Sequence, residues 1–301
     1  MHIYRTDQFP LPLPAGHRFP AQKYRMLTEA VAGFAADCLD TAAAATPWEL
    51  QQAHSPEYIA QVLDGSLPAR AWREIGLPWS PQLVERSCRS VGATIAAARS
   101  ALLHGCGISL AGGTHHAYRD KGSGFCVFND VAVAANLLLQ EGLVRRILVV
   151  DLDVHQGNGT AAIFRDDARV FTFSMHGEKN FPFRKEASSL DIDLPDATGD
   201  DVYLNLLQQQ LPLLLQQHQP ELVFYLAGAD SYAGDRLGKL ALSMTGLQQR
   251  DRLVLQQVAS HGAALAITMA GGYANDIADT VAIQRNTVHL AWHYHSQAGA
   301  L

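Results

Sequence analysis

Ile147-Leu148-Val149-Val150-Asp151-Leu152-Asp153-Val154-His155-Gln156-Gly157-Asn158-Gly159 opens on four apolar residues and closes on two acids, an imidazole, two amides and two glycines. An unbroken apolar run of this kind reads as a strand buried on both faces, as in parallel sheets covered by helices. Four more runs repeat it: Ile108–Leu110, Val170–Ser174, Leu222–Leu226 and Leu265–Met269. Helical patterns lie between or after them, at about 83–103, 129–141, 201–218, 246–261 and 277–293. The alternation predicts an α/β fold spanning residues 1–301 as a single domain. Its sheet is doubly wound and mostly parallel, with helices on both faces. Three stretches read as loops: the Pro-rich arm Phe9–Pro14, the span from Gly65 to Pro81, and the span from His176 to about Asp200. Pro212 is expected to kink or split the helix that contains it.

Composition narrows the function. Of 301 residues, 48% are hydrophobic and 17% charged, which excludes global disorder. With 23 basic and 29 acidic residues the net charge is -6, a poor balance for direct nucleic-acid binding. No apolar run reaches the roughly 18 residues of a spanning helix, so no membrane role is expected. The opening Met1-His2-Ile3-Tyr4-Arg5-Thr6-Asp7 lacks the apolar centre of a signal peptide. Cys38, Cys88, Cys106 and Cys126 form no CxxC pair and read as reduced thiols of a cytoplasmic protein. The sequence leaves the oligomeric state open.

The chemistry follows the strands. Ile108–Leu110 leads to Gly112-Gly113-Thr114-His115-His116, Leu222–Leu226 to Ala227-Gly228-Ala229-Asp230, and Leu265–Met269 to Ala270-Gly271-Gly272-Tyr273. Ligands of open α/β sheets bind at that carboxyl edge. Asp153 and His155, two apart on extended chain, point the same way and suit a divalent ion such as zinc. Asp230 can be a third ligand, leaving positions open for water and substrate. Alone, Asp-x-His reads as a helix cap beside a polar residue; Asp230 and the histidine pair at neighbouring strand ends favour the metal. Two adjacent imidazoles are hard to bury without partners, so His115 and His116 read as paired acid–base groups. Asp151 can orient one and the Asn158 amide the other, giving them different proton affinities. Tyr273 can donate to a developing oxyanion. Asn129 or Asp130 is a natural helix N-cap, and Phe125 is either core or one wall of a pocket. The glycines complete no dinucleotide or P-loop fingerprint, and no serine sits in a GxSxG elbow.

Taken together, GGTHHA at 112–117, GSGFCVFND at 122–130, DLDVHQGNGT at 151–160, Gly228-Ala229-Asp230 and Gly271-Gly272-Tyr273 resemble the zinc-dependent histone deacetylase family. His17–Tyr24 and His54–Tyr58 resemble its N-terminal segments, and the short chain and residues 176–194 look most like the bacterial and class IV branch. The resemblance implies the fold shared with arginase and one zinc ion on Asp153, His155 and Asp230. It implies tandem catalytic histidines at His115 and His116, the second being the general base, with Asp151 and Asn158 as partners. It implies a carbonyl-polarising Tyr273 and a structural potassium ion at Asp151, Ser174 and Met175. The acyl-lysine channel falls to Gly124, Phe125 and Gly271, with either Phe181 or Phe183 opposite.

Two departures matter. Asn158 stands where some branches have Asp, so the second histidine should be less basic than there. Asp230 is followed by Ser231-Tyr232, whereas arginase-type sites need a second carboxylate two residues on, which argues against a dimanganese ureohydrolase. The implied activity is hydrolysis of N-acyl lysine in protein or peptide. Alternatives are acetylpolyamines or other small N-acyl amines, a longer acyl chain, or an acyl-lysine binding protein without turnover.

Overall fold

The computed structural model describes residues 1–298. Eight strands form one sheet: β1 (His2–Tyr4), β2 (Leu39–Asp40), β3 (Cys106–Ser109), β4 (Ile147–Asp151), β5 (Val170–Gly177), β6 (Leu190–Leu194), β7 (Leu222–Leu226) and β8 (Ala264–Thr268). Their order is β2-β1-β3-β8-β7-β4-β5-β6, and every pairing is parallel. β3 and β4 are consecutive in the sheet region of the chain but lie apart, with β8 and β7 between them. A reversal of strand order of this kind opens a crevice at the carboxyl edge.

The apolar runs are buried on both sides, as their sequence requires. Leu148 and Val150 of β4, with Val223 and Tyr225 of β7, enter one core with Leu27, Leu207, Leu211 and Val254. The alternate residues Ile147, Val149, Leu222, Phe224 and Leu226 enter a second core with Val91, Ile95, Val131 and Leu137. The first is roofed by helices α1 (Lys23–Ala35), α8 (Asp200–His218), α9 (Met244–His261) and α10 (Ile277–Ala298). The second is roofed by α3 (Pro56–Asp64), α5 (Pro81–His104) and α6 (Asp130–Gln140), with the short α2 (Pro47–Leu50), α4 (Ala69–Ile75) and α7 (Asn158–Phe164) at its margin. Caps explain the boundaries. Ser80 accepts from Leu83 N with Pro81 at the first turn, and the left-handed Gly105 ends α5. Asn129, one of the two expected caps, accepts from Ala132 N to start α6.

The loop expectations need correction. The span from 65 to 81 contains α4, and that from 176 to 200 contains β6 and the end of β5. Leu190, Ile192 and Leu194 alternate with Asp191 and Asp193; the acids suit an edge strand, with its far side unpaired, and disguise it in sequence. Pro212 does not split α8, which runs through it. Pro212 is half-buried, and exposed Gln208, whose carbonyl loses a partner, can turn that carbonyl to water. β1 and β2 are too short for periodicity to reveal.

Candidate active site

Four strand ends converge on one cleft of about 500 Å³. His115 and His116 follow β3, Asp153 and His155 follow β4, Asp230 follows β7, and Gly271 and Tyr273 follow β8. The Asp153, His155 and Asp230 ligand atoms all lie within 4.8 Å of one another. Asp230 is fully buried, and its Oδ2 has no hydrogen-bond partner; His155 Nδ1 lies 3.4 Å away. Burial and the charge of Asp153 push the Asp230 carboxyl up to about 7. Burial raises Asp153 too, but the His115 and His155 charges outweigh it and hold Asp153 below the usual carboxylate range. A buried pair of acids with an orphaned oxygen beside an imidazole is a donor set that fits a divalent cation, and zinc accepts these ligand types.

The cradle for that set is narrow. A Cβ at Gly271 would lie 1.8 Å from Asp230 Oδ2 and 2.6 Å from Asp153 Oδ2. Gly271 N donates to Asp153 Oδ2 at 2.7 Å, and Val154 N to Asp230 Oδ1 at 2.9 Å. Glycine is therefore the residue that lets the β8 loop reach the carboxylates.

The two histidines are differentiated by their partners, as the sequence suggests. His115 Nδ1 lies 2.6 Å from Asp151 Oδ2, and His116 Nδ1 lies 2.7 Å from Asn158 Oδ1. Burial would lower His115, but the Asp151 and Asp153 carboxylates outweigh it and push it up to about 9. His116 falls well below its ordinary value through burial and the His115 and His155 charges, with only the Asn158 amide opposing. A carboxylate partner favours the charged imidazole and an amide partner the neutral one, so the pair is set up for different proton affinities.

Tyr273 lines the cleft with its ring centroid 5.9 Å from that of Phe125. Burial, then Tyr24 and the Asp153 and Asp230 carboxylates, raise its phenol well above the ordinary value, so it stays a donor. Of the two competing aromatics, Phe181 packs edge-on against His116 at 4.9 Å, whereas Phe183 is 86% exposed. Both touch the cleft, and only Phe181 stands beside the histidines. A Cβ on Gly124, which has a φ of +52°, would lie 2.6 Å from His116 Cδ2 and 3.0 Å from Phe181 Cε1. Phe125 also holds a positive φ, 66°, and is anchored through its N–H to the Ile75 carbonyl at 2.7 Å. Such a conformation in a bulky residue occurs where surrounding contacts impose it, often beside a site. Asp151 and Ser174 are register partners, Ser174 Oγ lies 2.9 Å from His176 Nδ1, and the Met175 side chain is core.

Several residues that build the site gave little sequence signal. Asp130 accepts from Gly113 N, Thr114 N, Thr114 Oγ1 and Thr94 Oγ1, and so holds the loop bearing His115. Asp235 accepts from Tyr273 N at 2.6 Å. Fully buried Arg250 pairs with Asp251 and donates to the Gly228 carbonyl at 2.6 Å beneath Asp230. Lys23, also buried, places its ammonium 5.3 Å from the Tyr273 ring centroid. Each makes its supporting contact with a segment distant in sequence, so the role cannot be read from its immediate neighbours even where, as for Asp130 and Lys23, the residue lies in a family-like motif or segment.

The histone deacetylase domain family matches residues 17–288. An uncharacterized protein of Picosynechococcus is 47% identical over 288 residues, covering 93% of this chain and 94% of that one. Histone deacetylase 2 of Arabidopsis thaliana is 31% identical over 243 residues, covering 78% of this chain and 63% of its own length. The crystal structure of an HDAC homologue from Aquifex aeolicus superposes with a TM-score of 0.82 at 24% identity, over 97% of this chain and 84% of that one. An HDAC homologue complexed with SAHA gives 0.80 at 23% identity, over 98% and 88%. These two likenesses show the fold. Among the described residues no helix is long and apolar enough to cross a membrane.

Proposed function

The chain belongs to the histone deacetylase family, and from that premise we propose that it is a zinc-dependent hydrolase of N-acyl lysine, with the whole chain as one catalytic domain. The observation that carries the reading is the buried histidine pair, one imidazole on the Asp151 carboxylate and the other on the Asn158 amide, set beside the Asp153, His155 and Asp230 cluster. A zinc ion held by those three residues would supply Lewis-acid polarisation of the amide carbonyl and of the attacking water.

The residues of the chain do the rest. His116, neutral, takes the water's proton as general base. His115, favoured in its charged form by Asp151, keeps positive charge beside the developing tetrahedral centre and can supply the proton for the leaving amine. Tyr273 donates its phenolic hydrogen to the oxyanion. Phe125 and Phe181 flank the stem of the substrate. Burying four methylenes of a lysine at about 0.8 kcal/mol each contributes about 3 kcal/mol of binding.

Charge at the mouth favours a peptide over a polyamine. Exposed Arg18, Arg73, Lys179 and Lys239 line it, against Glu74 alone. Glu74 is paired with Arg70 at 3.0 Å and Lys179 with Asp196 at 3.9 Å, so the charge excess at the mouth rests on Arg18, Arg73 and Lys239. A polycationic amine would meet like charge there, whereas acyl-lysine flanked by neutral or acidic residues would not. The test is turnover of acetyl-lysine peptides and acetylpolyamines by zinc-loaded protein, across acyl lengths. Turnover confined to polyamines would reject the substrate class, and no hydrolysis of any N-acyl amine would reject the function.

A further inference from the structure

Behind His116 a chain of hydrogen bonds runs outward to the surface. Asn158 Oδ1 faces His116 Nδ1 at 2.7 Å, and Asn158 Nδ2 donates to the Tyr118 hydroxyl oxygen at 2.9 Å. The Tyr118 hydroxyl donates to Glu186 Oε1 at 3.2 Å, and Glu186 Oε2 is paired with Arg165. Glu186 is itself fixed by its backbone: its N–H donates to Gln156 Oε1 at 2.9 Å, and its carbonyl accepts from Gln156 Nε2 at 2.7 Å.

Each link in this chain has a direction. An ionised carboxylate only accepts, so Glu186 takes the Tyr118 hydrogen and leaves the Tyr118 oxygen as an acceptor toward Asn158. Asn158 must then present its NH₂ to Tyr118 and its carbonyl to His116. A carbonyl can only accept, so His116 must carry its proton on Nδ1, with the Nε2 lone pair left for the cleft. Turned over, the amide would offer NH₂ to Nδ1 and move the proton to Nε2, and the imidazole could no longer receive one there. The Tyr118 phenol is pushed up to about 12 by burial and by Glu186, so it remains protonated and the chain keeps its direction.

We propose that Tyr118 and Glu186 are positioning residues that lock the tautomer of His116 by fixing the orientation of the Asn158 amide. The proposal rests on His116 being the general base. Glu186 belongs to the same 178–189 segment as Phe181, so the loop that forms the cleft wall also sets the base.

The test reads the tautomer directly, by imidazole ¹⁵N–¹H spectra of zinc-loaded protein at a pH where His116 is neutral. Wild type should show Nδ1 protonated and Nε2 unprotonated. Tyr118→Phe removes the acceptor for the Asn158 amide, and Glu186→Gln lets Tyr118 point either way while keeping size. Both should populate the Nε2–H form, with kcat lower by about tenfold and KM little changed, the loss expected for one directional hydrogen bond. Unaltered zinc content and thermal midpoint should accompany the shift. Half-buried Glu186→Gln keeps the test standing should Tyr118→Phe not fold. Retention of the wild-type tautomer in the folded variants overturns the proposal. Because the spectrum needs no turnover, failure of the deacylase reading would show separately, as a locked His116 in a protein that hydrolyses no N-acyl amine.

Discussion

Gly271→Ala isolates the metal cradle with a single methyl group. The backbone at Gly271 does not lie in the left-handed region, so alanine adds no conformational strain and the contact alone is tested. The new Cβ would start 1.8 Å from Asp230 Oδ2, and real Cβ contacts essentially never fall below 3.0 Å, so the oxygen must retreat by about 1.2 Å. Asp230 cannot retreat freely, because it is fully buried and its other oxygen accepts from Val154 N. Zinc sites hold their ligand distances to within about 0.2 Å, so a displacement several times larger removes the ligand. Loss of a supporting contact alone typically costs 10–100-fold in affinity, and loss of a ligand should exceed about 100-fold. Overpacking should also lower the stability of the metal-free protein, by about 1–3 kcal/mol. The assay is a chelator-competition zinc titration of metal-free wild type and variant, with thermal melts of each form. Zinc should raise the wild-type midpoint and leave the variant's nearly unchanged. Wild-type affinity in Gly271→Ala would refute the assignment of Asp230 and Asp153 as ligands.

Other perturbations probe separate parts of the account. Tyr273→Phe should cost about 3 kcal/mol of transition-state stabilisation, seen mainly in kcat; an unchanged kcat on an acyl-lysine peptide rejects the oxyanion role. Asp230→Ala should lose most bound zinc while circular dichroism still reports the folded sheet; full metal content would contradict the ligand set. His54, whose pKa burial pushes down to about 4, receives the Asn129 N–H on Nε2 and faces the Tyr118 carbonyl through Nδ1. Its unfolded form takes up a proton near pH 6.5 and its folded form does not. Stability should therefore fall by about 3 kcal/mol as pH drops from about 6.5 to 4. Denaturant titrations of His54→Gln should lack that one-proton slope. Acidic flanks on an acetyl-lysine peptide should raise kcat/KM over basic flanks by about tenfold at low salt, and the gap should close near 0.5 M salt. A salt-independent ratio would remove the mouth cations from recognition.

Most of the sheet and the site's inner ring was legible because both are written locally. Unbroken apolar runs mark buried parallel strands, and each strand end carries its polar residues within a few positions. The pairing of His115 with Asp151 and of His116 with Asn158 follows once those ends share an edge. What escaped was written in contacts between distant segments. β6 looked like loop because Asp191 and Asp193 interrupt it, and its strand character needs β5 as partner. Asp130, read only as a helix cap, grips the His115 loop, and Arg250 looks like any helix-face arginine until the strand-end carbonyl beside it is known. Phe181 and Phe183 could not be separated by sequence because both lie on one irregular loop, and only the fold turns one inward.

Stoichiometric reconstitution is the direct test of zinc-dependent hydrolysis. Metal-free protein would be titrated with zinc while carboxylate release from an N-acetyl-lysine peptide is followed. Turnover should be absent without metal, rise in proportion to added zinc and level off at one equivalent per chain. Turnover undiminished in metal-free protein, or absent from zinc-loaded protein across N-acyl-lysine peptides, would contradict the account.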